Sequence, residues 1–160
     1  MTQIKFGTDG WRAIIAKEFT TDNVSRVSLA VADFLNEKND NPSVVIGHDC
    51  RFAGELFAET AAKVLANKGI KVLLSKGFVS TPMVSLGVIN YKASIGIVIT
   101  ASHNPPSYNG YKLKGDFGGP LLSDDITNVE KRIPERNLID IDSIKIEDLI
   151  ENESVSYVDL

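Results

Sequence analysis

Three polar side chains follow one another at the end of an apolar run: Ser102, His103 and Asn104 close the segment Ile95-Gly96-Ile97-Val98-Ile99-Thr100-Ala101. The apolar run from Ile95 to Ile99 is β-branched and interrupted only by Gly96, the pattern of a strand buried on both faces. Open α/β sheets place ligand sites at the carboxyl ends of such strands. Pro105 and Pro106 fix φ and should stiffen the loop that carries the serine hydroxyl. Asn109-Gly110 suits a turn of positive φ that sends the chain back, bringing Lys112 close to the loop it left. A hydroxyl with cationic and hydrogen-bonding neighbours suits group transfer involving an anion. The same residues also fit a solvated hairpin connection. A serine hydrolase is disfavoured, because adjacent Ser and His seldom align as nucleophile and base and no G-x-S-x-G elbow is present.

The string Thr100-Ala101-Ser102-His103-Asn104-Pro105, followed by Asn109-Gly110-Tyr111-Lys112, resembles the active-site serine loop of the α-D-phosphohexomutases. Phe6-Gly7-Thr8-Asp9-Gly10-Trp11-Arg12 is similar to the N-terminal motif of that family, with Ala13 where many relatives have Gly. Without the resemblance, Arg12 reads equally well as a solvated hairpin residue. Gly47-His48-Asp49-Cys50-Arg51 resembles a third segment, in which Asp49 and Arg51 should brace the loop by an ion pair or backbone hydrogen bonds.

The resemblance implies a catalytic set of Ser102, Lys112, Arg12, His103 and Asn104. Ser102 is the phosphoryl carrier in an exchange between hexose 1-phosphate and hexose 6-phosphate, through a hexose 1,6-bisphosphate that also acts as activator. A phosphoserine carries about −1.5 to −2 charges and would repel a sugar phosphate unless cations offset it. An opposite unit charge at ~4 Å contributes ~1 kcal/mol in water and several times more near protein. Arg12 and Lys112 can supply such charges. Lys112 is also the candidate to exchange a proton with the sugar hydroxyl, while His103 and Asn104 orient the phosphate and the loop. The family also uses Mg2+, to which Ser102 would offer its phosphoryl oxygens. The family's Asp-Gly-Asp-Gly-Asp-Arg metal loop has no counterpart here, nor do its sugar-binding segment and terminal phosphate clamp.

The elements that must position these residues read as strand–helix units. Strands are expected at 11–15, 43–47, 70–74 and 95–99. Helices are expected from Thr20 or Thr21 to about Glu37, from Gly54 to Lys68, from Pro82 to Asn90 behind a Thr81 cap, and from a Ser123 cap to Ile133. Leu56, Phe57, Thr60, Ala61, Val64 and Leu65 should form the inner side of the second helix. The fold expected is α/β: a three-layer α/β/α sandwich around a mixed, mostly parallel sheet, with an antiparallel strand added after the serine loop.

Residues 1–134 read as the serine-bearing domain and 135–160 as an acidic passage toward a second domain, with Val155-Ser156-Tyr157-Val158 extended. The segment from Glu135 onward holds 8 acidic and 2 basic residues of the totals of 21 and 17, leaving 13 and 15 in the body. No basic block suggests nucleic acid. No apolar run approaches the roughly 20 residues that span a bilayer. The single cysteine, Cys50, excludes an internal disulfide and fits the cytoplasm. The expected partners are a sugar phosphate and the remaining domains of the same polypeptide, and the fragment alone should be inactive. The competing reading is a non-catalytic module of the same fold, switched by serine phosphorylation.

Overall fold

The computed structural model describes residues 3–7 and 10–160. Six strands form one sheet: β1 (Trp11–Ile14), β2 (Ser43–His48), β3 (Lys71–Phe78), β4 (Ile95–Ile99), β5 (Tyr108–Gly115) and β6 (Val155–Val158), in the order β1-β5-β4-β2-β3-β6. β4, β2, β3 and β6 run parallel, whereas β5 is antiparallel to both β4 and β1. This is the α/β sandwich with a mixed sheet that the alternation of elements leads one to expect.

The helices are α1 (Thr21–Lys38), α2 (Gly54–Asn67), α3 (Thr81–Tyr91), α4 (Ser123–Arg132) and α5 (Ile146–Glu151). α1 starts where Thr20 accepts a hydrogen bond from the Asn23 amide at 3.2 Å, with Asp22 in the first turn against the positive helix end. α2 ends at Lys68, and Gly69 takes φ +80°, a conformation that suits glycine.

Alternation along the strands divides the core between the two sheet faces. Val44, Ile46, Ile97, Ile99, Tyr111 and Leu113 share one cluster with residues of α1, α2 and α4, including Val27, Val31, Phe57, Leu65 and Val129. Val45 and Val98 share a smaller cluster on the other face with Val84 and Val88 of α3. Gly96 and Gly47 allow α3 to lie close. A Cβ on Gly96 would fall 2.6 Å from Val88 Cγ2, and one on Gly47 would fall 2.8 Å from Val84 Cγ2.

Several local expectations shift. β3 extends past residue 74 to Phe78: β6 pairs with it as far as Ser75, and β2 pairs His48 with Phe78 beyond a register shift. Ser80, not Thr81, caps α3, so Pro82 is the second helical residue; Leu122 takes the cap position of α4. Leu56 is 52% exposed rather than inward, since it shares a flank of α2 with the ion-paired Glu59 and Lys63. The acidic segment is tied into the sheet: β6 pairs Val155 with Val72 and Tyr157 with Leu74.

Tyr111 is fully buried, and its hydroxyl shares a 3.1 Å hydrogen bond with Ser28 Oγ of α1. Burial pushes ionisation of the phenol far above the ordinary 10.0, and the Ser28 bond only partly opposes this. Tyr111→Phe should cost about 1–2 kcal/mol by leaving the Ser28 hydroxyl unpaired. The double variant with Ser28→Ala should recover part of that loss, as read by urea unfolding. Because the folded pKa is raised, the tyrosine's contribution is whole below pH 10.0 and is lost as pH rises past it, when only the unfolded chain gives up the proton. Stability should therefore fall above that pH, and less steeply in Tyr111→Phe.

Candidate active site

The serine loop springs from the carboxyl end of β4, beside the loop that leaves β2. Thr100 donates its amide to Gly110 O at 3.0 Å, the last link between β4 and β5. The chain then turns through Ala101–Asn104, closed by the Asn104 amide donating to Ala101 O at 3.0 Å. Ser102, at the second position of this turn, has φ +54°. A left-handed backbone at a residue with a Cβ costs on the order of 1–3 kcal/mol and persists only where the surroundings hold it. Its amide donates to Thr100 Oγ1 at 3.2 Å, and Thr100 Oγ1 donates in turn to Asp49 Oδ2. Ser102 and His103 are exposed on the turn, and Asn104 is half-buried.

Asn109 and Gly110 do not form the expected turn. Both are buried within β5, and Gly110 is not among the glycines of positive φ. The reversal is made instead by residues 101–104 and by a second turn in which the Tyr108 amide donates to Pro105 O at 3.0 Å. Gly110 is needed for space. A Cβ there would lie 2.5 Å from Thr100 O and 2.9 Å from Trp11 O. Asn109 completes the crowding with Oδ1 accepting from the Gly110 amide at 2.9 Å.

The same register explains how two distant cations come to share one face of the sheet. Arg12 of β1 pairs with Gly110, and Lys112 of β5 pairs with Val98. Directly opposed residues share a face, so Arg12, Lys112 and Val98 all lie on the α3 side of the sheet. Arg12 Nη1 donates to Asn104 Oδ1 at 3.1 Å, fastening β1 to the serine loop. Lys112 is buried, its stem under Gly10, where a Cβ would meet Lys112 Cγ at 3.0 Å. Gly10 takes φ +103° and pairs with Gly7; Thr8 and Asp9 of the N-terminal motif lie outside the described residues.

Arg51, on the β2 loop, makes both kinds of contact expected of it. Its Nη1 donates to Pro105 O at 2.9 Å and Tyr108 O at 3.1 Å, and its Nη2 to Ser102 O at 2.6 Å and Asn104 O at 2.8 Å. Its Nε lies 3.4 Å from Asp49 Oδ2, while Asp49 Oδ1 accepts from the Arg51 amide at 3.0 Å. His48 is buried beneath, with Nδ1 3.0 Å from Asp49 O. Among the described residues no group of three or more His, Cys, Asp or Glu could hold a metal ion. The donors among the described residues therefore do not by themselves make a magnesium site.

Comparison with known proteins meets this geometry at the family level. Residues 3–139 match the family model "Phosphoglucomutase/phosphomannomutase, alpha/beta/alpha domain I". The chain belongs to that family. A phosphoglucomutase of Staphylococcus saprophyticus is 35% identical over 159 residues, which cover 97% of this chain and 29% of that protein. One of Staphylococcus haemolyticus is 38% identical over 135 residues, 82% of this chain and 25% of that protein. A crystal structure from Thermus thermophilus, described as a phosphomannomutase, superposes with a TM-score of 0.83 at 42% identity, covering 85% of this chain and 31% of that one. The chain thus spans less than a third of the length of these relatives. No helix among the described residues is long and apolar enough to cross a membrane.

Gly110→Ala should destabilise the protein by about 1–3 kcal/mol or more, because the added methyl meets backbone on both sides. Gly77→Ala, where a Cβ has nothing within 4 Å, should change stability by less than about 0.5 kcal/mol. Thermal unfolding of the two variants checks the contrast.

Proposed function

We propose that this chain is the phosphoryl-carrying domain of a phosphohexomutase, which exchanges hexose 1-phosphate and hexose 6-phosphate through a phosphoserine at Ser102. The observation that carries the reading is the meeting of Arg12 with Asn104 of the serine loop. It brings a guanidinium from the first strand to the loop that carries the serine hydroxyl at the mouth of the fourth. A cation drawn from a separate strand to the loop of an exposed serine, with Lys112 on the same face of the sheet, favours transfer over a passive regulatory switch.

In the first half of the cycle a sugar hydroxyl oxygen attacks the phosphorus of the phosphoserine. The bond from phosphorus to Ser102 Oγ breaks, leaving hexose 1,6-bisphosphate. In the second half Ser102 Oγ attacks the other phosphate of that bisphosphate, and the P–O bond to the sugar breaks. Arg12 and Lys112 offset the charge of the phosphoryl group in both halves. Lys112 also exchanges the proton with the sugar hydroxyl. His103 and Asn104 hold the loop and the phosphoryl oxygens by hydrogen bonds. A phosphorylated Ser102 would offer one oxygen to magnesium. The described residues gather no further ligand set.

Residues 1–134 carry this chemistry, and residues 135–160 lead toward the further domains that supply the sugar site. The isolated chain should accordingly show no measurable interconversion of glucose 1- and 6-phosphates. Incubating the full-length protein with a hexose 1,6-bisphosphate and mapping phosphate by mass spectrometry should place it on Ser102. Label on another residue would overturn the reading. Ser102→Ala should abolish the exchange. Arg12→Ala and Lys112→Met should each lower kcat about 100-fold or more, as expected for removing a group that stabilises transition-state charge.

A further inference from the structure

We propose that Arg51 is a positioning residue for phosphoryl transfer, its guanidinium fixing the backbone of Ser102 so that the serine oxygen keeps one line of attack. This rests on Ser102 being the phosphoryl carrier. The two terminal nitrogens are fully used: four N–H groups go to the carbonyls of Ser102, Asn104, Pro105 and Tyr108, while Nε lies 3.4 Å from Asp49 Oδ2 as an ion pair without a hydrogen bond. Four carbonyls of one seven-residue stretch converge on a single planar cation. A loop left to itself would turn those groups to water. Lysine could not reproduce the arrangement, because an ammonium has three donors and no fixed fork.

The bond to Ser102 O has a stereochemical consequence. The peptide that follows Ser102 is trans, as is every described peptide bond. In a trans peptide the N–H points opposite to the C=O. With Ser102 O held toward Arg51, the His103 N–H is turned to the other side of the loop, as a backbone donor next to the serine. The same bond helps to hold φ +54° at Ser102, together with the Thr100 hydroxyl that accepts the Ser102 amide. Asp49 orients the clamp: it contacts Arg51 Nε and accepts from Thr100 Oγ1, so the β2 loop and the serine loop move as one piece.

The test uses the full-length protein with Arg51→Lys and Arg51→Ala. Both should lose kcat by about 100-fold while KM for the hexose phosphate stays within about twofold, as when a reacting group is misplaced by about 1 Å. Guanidinium ion added to Arg51→Ala should restore kcat at least about tenfold, since it can refill the carbonyl cradle. Amide hydrogen exchange should speed up at Ser102 and Asn104 in Arg51→Lys and stay unchanged at Ile97–Ile99, which separates loop release from unfolding. Retained kcat, a matching rise in KM without rescue, or unchanged exchange in the loop would each overturn the proposal. If the wild-type protein takes no phosphate on Ser102, the functional reading fails instead, and exchange at Ser102 and Asn104 still decides whether Arg51 holds the loop.

Discussion

Backbone proximity at Gly110 is the constraint on which the site depends. At this point β5 lies between the carbonyl of Trp11 on one side and that of Thr100 on the other, both closer than a methyl group would permit. Only a residue without a Cβ lets β1, β5 and the end of β4 come together. That closeness carries Arg12 across to the serine loop and sets Lys112 on the same face. Arg12 and Asn104, 92 residues apart, meet because of an atom that is missing from a third residue.

Around this point the loop is over-determined. Ser102 adopts a backbone conformation that a serine ordinarily avoids, and its neighbours hold it there from three directions. The Thr100 hydroxyl takes its amide, Arg51 takes its carbonyl, and the 101–104 turn closes over it. Such strain is maintained by the two loops at the carboxyl edge of the parallel strands, where this class of sheet commonly places its chemistry. The rest of the molecule keeps those strand ends still. α1 and α2 press on one face with a large apolar core, and α3 presses on the other through Val84 and Val88.

Much of this was legible in the residues. Continuous β-branched runs at 43–46 and 95–99 announced the two central strands, and helical spacing in 24–35 announced α1. The turn carrying Ser102, His103 and Asn104 at the end of β4 followed from residue type, and Arg12 entered through the N-terminal motif. What escaped was whatever depends on three-dimensional approach. Asn109-Gly110 has the composition of a turn, and nothing local reveals that its glycine serves close packing instead. The positive φ fell on Ser102, a residue type that gives no such signal. Thr100 read only as the first residue after the strand, and nothing in its type showed that its hydroxyl links Asp49 to the serine amide. The reach of β3 to Phe78 depended on its link to His48 of β2, and its other side on β6 some 80 residues away, neither of which a window of sequence around residue 75 contains.

That partner strand has a consequence of its own. β3 is eight residues long and would otherwise present an unbroken row of backbone donors and acceptors at the rim of the sheet. β6 covers part of that rim with only four residues, bracketed by Glu153 and Asp159. The outermost strand is thus brief and flanked by negative charge, both features that discourage another chain from adding on. The acidic stretch serves as a selvedge, finishing a border along which the molecule could otherwise be knitted to its own copies.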